Sequence, residues 1–386
     1  MAYANASRPR AALALLLLAL AVADEITRWP SPAPDPVPAL PGATATSETA
    51  LPRLVEVSSS ILRLQHEQAA EHASSLAQLP GGDLLAVWWA GSRESGPDVR
   101  VYAARWHQGR WNTPRPVVDR EMLGREFGFA VRRIGNPVAW VAPDGAVHLF
   151  MVGTGLGGWA AARVLHLVSH DTAATFSAVR VLPLSPLFNT SMLVRTNAVG
   201  LADGRWWLPA YFELGTKYPL VLTFDEQGRL QRLQRLGKRT NSLQPAIAPI
   251  AGSEWRAWMR DMGPDERVQQ AVSQDAGRTW QDLSPTDVPN HNNSVAVLRL
   301  ERGGYVMLHN DQVAPGASGR SLLRLRVSTD ALNWQPLLDV AKGRPSDEFS
   351  YPTLLQVGDR LHVTYSLQRS DIAHHVFQLQ YEQDRQ

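Results

Sequence analysis

Ser273-Gln274-Asp275-Ala276-Gly277-Arg278-Thr279-Trp280 is the stretch whose reading decides the fold. Its spacing, S-x-D-x-G-x-x-W, describes a turn. The Ser and Asp side-chain oxygens accept backbone N–H groups inside it, Gly takes positive φ, and Trp packs between sheets. Worn copies stand at Ser169-His170-Asp171 with Thr175-Phe176, and at Ser328-Thr329-Asp330 with Asn333-Trp334. More degenerate ones run from Trp106 to Trp111, with Gly109, and over Thr223-Phe224-Asp225-Glu226-Gln227-Gly228. From Trp111 the aromatic ends fall at Phe176, Trp280 and Trp334, gaps of about 65, 104 and 54 residues, the second holding two units with the Asp225 turn between them.

Outward from these turns the texture is uniform. From about residue 53, short apolar segments rich in β-branched and aromatic residues are cut by Gly, Asp, Asn and Pro, as in Asp83–Trp89, Ala146–Met151, Arg205–Leu208, Tyr305–Leu308 and Arg360–Tyr365. No long amphipathic helix competes there, so doubly wound and helical-bundle architectures fit poorly. A unit of about 50–60 residues with four short strands is a propeller blade, unable to bury both faces alone, and about 330 residues hold six. The expected fold is all-β, a six-bladed β-propeller over residues 53–386, with the Asp turns as fold-holding elements.

Composition narrows the function. The chain of 386 residues is 44% hydrophobic and 19% charged, the balance of a folded globular protein. Cysteine is absent, which removes disulfides, thiolate metal sites and thiol nucleophiles. The formal charge of +2 comes from Arg8 and Arg10, leaving a neutral remainder with no electrostatic case for nucleic acid. Those arginines precede an apolar run from Ala11 to Ala23 that ends in Ala21-Val22-Ala23, the pattern of a signal peptide or short anchor over residues 1–23, too short to span a bilayer comfortably. Pro30, Pro32, Pro34, Pro36, Pro38 and Pro41 mark residues 24–52 as an extended linker. The protein is expected to be exported (periplasmic, envelope-anchored or secreted), monomeric, and able to use the apolar segment as a membrane tether.

The eight-residue turn resembles the Asp-box of sialidases and their BNR-repeat relatives, and the resemblance extends over roughly residues 65–380. It is nearest to the bacterial "predicted neuraminidase" group, through His72-Ala73-Ser74-Ser75, Gly91-Ser92-Arg93-Glu94 with Pro97-Asp98-Val99, Gly135-Asn136-Pro137, Leu208-Pro209 with Tyr211 and Glu213, Gln244-Pro245, Pro289-Asn290-His291-Asn292, and Glu348-Phe349-Ser350-Tyr351-Pro352. The resemblance implies a six-bladed sialidase-type propeller and a glycan-active exo-enzyme, a glycoside hydrolase taking an acidic glycan, with no metal or cofactor. Sialidases hold the substrate carboxylate with three arginines, attack with a tyrosine assisted by a glutamate, and protonate the leaving group with an aspartic acid. Transferred position by position, the first arginine's place is taken by His72. Asp98 stands at the acid, Arg260 and Arg320 match the second and third arginines, and Tyr351 matches the nucleophile. The glutamate's place, near Asn241-Ser242-Leu243-Gln244, holds no acid, and Glu213 is the nearest substitute. Arg93, Asn136 and His291 are expected at the same rim.

These residue types suit the chemistry. A guanidinium binds a carboxylate through two parallel bonds, and a neutral phenol avoids the repulsion that a carboxylate nucleophile meets on an anionic sugar. His72 opens a second reading, a lyase or hydrolase of uronate polysaccharide with the imidazole as acid or base. A third is a non-catalytic glycan-binding propeller.

Overall fold

In the Ser273 turn the Ser273 hydroxyl donates to Asp275 Oδ1 at 2.8 Å and accepts the Gly277 N–H at 2.8 Å, while the Asp275 carboxylate accepts the Thr279 N–H at 2.8 Å and its hydroxyl at 2.6 Å. Gly277 has φ +81°, and a Cβ there would stand 2.4 Å from the Trp207 ring, so both conformation and space demand glycine. The Ser169 turn repeats these bonds with Asp171 and Thr175, and Asp330 accepts the Leu332 and Asn333 N–H groups. All five turns sit at the same place, between the third and fourth strands of a sheet.

The computed structural model describes residues 7–28, 51–64, 70–184, 189–311 and 319–381; residues 29–50 of the expected linker lie outside the described residues. Six antiparallel sheets follow one another along the chain. Their innermost strands are Ala70–Gln78, Arg133–Val141, Met192–Val194, Ser242–Pro249, Ala296–Arg299 and Phe349–Val357 for blades one to six. Neighbouring blades touch through these inner strands, which ring a central channel. The structure is therefore the six-bladed all-β propeller expected from the turn spacing.

Ring closure uses both ends of the fold. Strand Arg53–Leu62 pairs antiparallel with Asp371–Gln380, Arg53 opposite Gln380 and Leu62 opposite Ile372, as the outer strand of the sixth blade. This covers an edge that would otherwise present unpaired backbone groups. Between blades the contacts are apolar and aromatic: Trp88, Trp206, Trp255 and Trp258 are fully buried, and Trp207 of the third blade lies against Trp255 of the fourth with centroids 4.4 Å apart.

One helix interrupts the β pattern. Arg120–Phe127 starts at Asp119, whose carboxylate accepts the Met122 N–H at 2.8 Å, and stops at Gly128 with φ +73°. Its Leu123 is buried in the core of the first two blades. The N-terminal helix is Ser7–Arg28, and among the described residues no helix is long and apolar enough to cross a membrane.

Four inner strands carry the same irregularity, and it positions the site. The pairing register slips between His72 and Ser75, Gly135 and Val138, Leu243 and Ala246, and Ser350 and Thr353. In each slip one residue lies at positive φ: Ala73 (59°), Asn136 (46°), Gln244 (51°) and Tyr351 (54°). Proline follows in three of the four (Pro137, Pro245, Pro352), where the interrupted ladder needs no N–H donor. Inner strands begin, and second strands end, on one face of the ring, so the bulges line one mouth of the channel.

Candidate active site

Tyr351 stands at the centre of that mouth. A bulky side chain at positive φ costs on the order of 1–3 kcal/mol and persists only where its surroundings enforce it. The enforcing groups are His72 and Arg195. The His72 ring meets the Tyr351 ring edge-on at 4.4 Å, with Trp89 5.6 Å behind it, and the Arg195 guanidinium lies 5.0 Å over the Tyr351 ring. Arg195 also donates to the carbonyls of Tyr351, Pro352 (3.4 Å) and Ser74 (3.2 Å). His72 is 2% exposed, and neither ring nitrogen has a hydrogen-bond partner. Burial first, then the charges of Arg369, Arg195 and Arg320, hold its pKa well below the ordinary imidazole value, so it is neutral. His72, expected at the first arginine's place, thus supplies no charge to the mouth.

The two arginines expected to grip a carboxylate differ in their surroundings. Arg260, at the end of strand Trp255–Asp261, is held by neutral amides, donating to Asn292 Oδ1 at 2.7 Å and Gln244 Oε1 at 3.2 Å. Arg320 donates to Asn293 Oδ1 at 2.7 Å and Glu348 Oε1 at 2.6 Å. Burial of Glu348 opposes ionisation, but Arg320, the Ser350 hydroxyl and Arg369 hold its carboxyl below the usual range. Arg369 also pairs with Glu94, joining the sixth blade to the first.

Tyr211 connects the two halves of the site. Its hydroxyl accepts the side-chain amides of Asn136 and Gln244, both at 3.4 Å. Burial, then the charge of nearby Glu213, raises its pKa, so it stays a neutral phenol. Burial also raises Glu213 above the ordinary carboxylate value, against the pull of Arg260 and Lys217. A buried carboxyl held above its ordinary value can serve as a general acid or base.

His72, Asn136, Glu213, Arg260, Arg320 and Tyr351 thus share one mouth of the channel. Asp98 and Arg93 lie beside them on the loop joining the second and third strands of the first blade, Leu84–Gly91 and Arg100–His107. The exposed Asp98 carboxylate is tied to the Ser92 hydroxyl and N–H, both at 2.8 Å, bonds that lower its pKa. His291 turns from its neighbours Asn292 and Asn293 toward Glu266, 3.3 Å away. Among the described residues no group of three His, Asp or Glu could hold a metal ion. Arg195 and Arg369 have no place in the sequence motifs, and Glu348 enters only as the first residue of the Glu348–Pro352 motif. One available signal was the spacing of Asn136-Pro137, Gln244-Pro245 and Tyr351-Pro352: residue 136 to 244 is 108 positions and 244 to 351 is 107, two blade periods each time.

The family model for a BNR repeat-like domain matches residues 82–363. The chain belongs to that family. No match is found among curated protein sequences. Among solved structures, a protein of unknown function from Dyadobacter fermentans superposes with a TM-score of 0.70 at 13% identity, over 86% of this chain and 100% of that one. A Hadza microbial sialidase gives 0.66 at 14% identity, over 82% and 67%. The Trypanosoma rangeli sialidase in complex with the inhibitor DANA gives 0.63 at 15% identity, over 84% of this chain and 60% of that one. At such identities the likeness establishes the fold, a BNR propeller of the sialidase type.

Proposed function

We propose that the protein is a sialidase-like glycoside hydrolase acting on a sugar that bears a carboxylate. The observation that carries this reading is Arg260: a cation at the pocket mouth whose hydrogen-bond partners are neutral amides and which forms no ion pair among the described residues. Gln244 and Asn292 orient its guanidinium while leaving its charge for an anion, and Arg320 supplies a second donor fork.

In this reading Tyr351 attacks the anomeric carbon, its phenol proton passing toward Glu213, with Tyr211 lying between. The glycosidic bond breaks as the leaving oxygen takes a proton, and water then releases the sugar from Tyr351 with retention. Asp98 is the proposed leaving-group acid. That role requires bound sugar to displace the Ser92 bonds, which hold the carboxyl ionised in the free protein. The Trypanosoma rangeli sialidase of the same fold is known with sialic acid and as a covalent intermediate with 2,3-difluorosialic acid, which supports the reading.

His72 favours a second reading. A neutral imidazole with both nitrogens unpartnered suits a base that removes a proton beside a uronate carboxylate. The two separate in one experiment on sialosides and uronate oligosaccharides. Release of free acidic sugar that is lost in Tyr351→Phe supports the hydrolase. An unsaturated, ultraviolet-absorbing product that persists in Tyr351→Phe and vanishes in His72→Ala replaces it with the lyase. No product from any acidic glycan leaves the binding propeller.

A further inference from the structure

We infer that Arg195 is the positioning residue for Tyr351, holding its ring and left-handed backbone so that the phenol is presented at the channel mouth; this rests on the reading of Tyr351 as nucleophile. Arg195 is 1% exposed and forms no ion pair among the described residues. A buried cation without an anion is costly, so its retention calls for a use in place. Every hydrogen bond it makes goes to a carbonyl where the first and sixth blades meet, two of them on Tyr351 and Pro352. Its guanidinium also covers the Tyr351 ring at 5.0 Å, while His72 closes another side at 4.4 Å.

The neighbours of Arg195 anchor the clamp. The Thr196 hydroxyl donates to the Pro245 carbonyl. Asn197 donates to the Leu354 carbonyl at 3.2 Å and accepts the Ser75 hydroxyl at 3.2 Å. Three consecutive residues of the third blade therefore tie the first, fourth and sixth blades across the channel. The equivalent bulge residues Asn136 and Gln244 carry no aromatic ring for a guanidinium to cover, so a covered ring is not a requirement of the bulge. A positive charge over the ring also stabilises the negative charge that develops on the phenol oxygen as its proton leaves.

The test uses the full chain with Arg195→Lys and Arg195→Leu, read in two ways. On the acidic glycan that the parent hydrolyses, Arg195→Lys is expected to lower kcat about ten- to a hundredfold with KM within about threefold, because substrate binding rests on Arg260 and Arg320. Arg195→Leu should lose more. Without substrate, the ring-proton NMR signals of His72, assigned through His72→Gln, should shift in Arg195→Leu as the Tyr351 ring leaves its edge, and return toward the parent in Arg195→Lys. Should the leucine variant fail to fold, Arg195→Gln, which keeps side-chain N–H donors but no charge, carries both readouts in its place, with the same shifted His72 signals and lowered kcat expected. Parent values of kcat and of the His72 signals in the Arg195 variants overturn the positioning role. Full hydrolysis by Tyr351→Phe overturns the nucleophile instead, while the His72 signals still report separately whether Arg195 holds the ring.

Discussion

Arg260 and Arg320 are one residue type in two electrostatic settings, and the difference predicts their variants. Arg260→Lys keeps the charge but loses the fork that Gln244 and Asn292 orient, so kcat/KM on acidic substrates should fall about ten- to a hundredfold, as expected for a lost charge-assisted bond of about 1.5–3 kcal/mol. Thermal denaturation should show little change, because among the described residues the guanidinium carries no ion pair of the fold. Arg320→Lys should weaken turnover and stability together, since the Arg320 guanidinium, with Arg369, also neutralises the half-buried Glu348 carboxylate. Glu213 makes a pH prediction. Burial raises its pKa, and the proposed base must be ionised, so kcat/KM should decline as pH falls through that raised value. In Glu213→Gln the acid limb should disappear along with most of the rate; a pH–rate profile retaining the same limb would assign it to another group.

At the scale of the element, the Asp turns and the inner-strand bulges do different work. The turn is local chemistry: Ser273, Asp275, Gly277 and Thr279 satisfy one another within seven residues. Two glycines separate its terms. Gly81 has φ +91° with open space around it, so Gly81→Ala should cost about 1 kcal/mol of backbone strain. Gly277→Ala adds a collision with Trp207 and should cost about 2–4 kcal/mol by urea denaturation. Equal costs at the two sites would show that Trp207 yields freely. The bulges have another purpose. A regular strand would alternate its side chains across the blade, whereas the slip at Tyr351 or Asn136 turns one residue along the channel instead. Strain at these positions is the cost of aiming side chains from several blades at one point.

For the whole molecule the predictions concern closure and acid. Removing residues 51–62 would uncover the edge of Asp371–Gln380, and size-exclusion chromatography of the shortened protein should show association that the full chain lacks. Buried imidazoles set the acid limit. His148 stacks on and bonds to His166 at 2.8 Å, and His362 does the same with His374 at 3.0 Å. Burial lowers these four from 6.5 to about 4, 2, 4 and 3 respectively. The unfolded chain takes up protons at these positions below pH 6.5 while the fold does not, so their stability is fully present above that value and is lost progressively below it, toward about pH 4 and beyond. Glu71, raised from 4.5 to about 7 by burial, runs the other way, stabilising at low pH and losing its contribution as pH rises through that interval. His72 and His309 join the four imidazoles and Glu213 and Glu301 join Glu71, six imidazoles against three carboxyls, so stability falls on acidification. His148→Phe should move the acid-unfolding midpoint to lower pH, and an unmoved midpoint would remove that pair from the account.

How much was legible follows from how far apart the interacting atoms lie in sequence. The Asp turns close their bonds within seven residues, so spacing alone declared the turn, the repeat and hence a closed ring of blades. The Arg120–Phe127 helix was equally local, with Asp119 before it and Gly128 after, but eight residues are too few for periodicity to speak against the surrounding strands. His72, Arg260, Arg320 and Tyr351 emerged from a likeness of short motifs; their convergence required the ring to close. Arg195 had no local signature at all. Its partners Ser74 and Tyr351 lie 121 and 156 positions away, and nothing in Val194-Arg195-Thr196 separates it from the chain's many other arginines. By itself the sequence determined the blade, because a blade is made of neighbours. Only the tertiary structure decided which charge stays unpaired, which imidazole is dry and which tyrosine is held in strain, because each is settled by groups from other blades meeting at the axis.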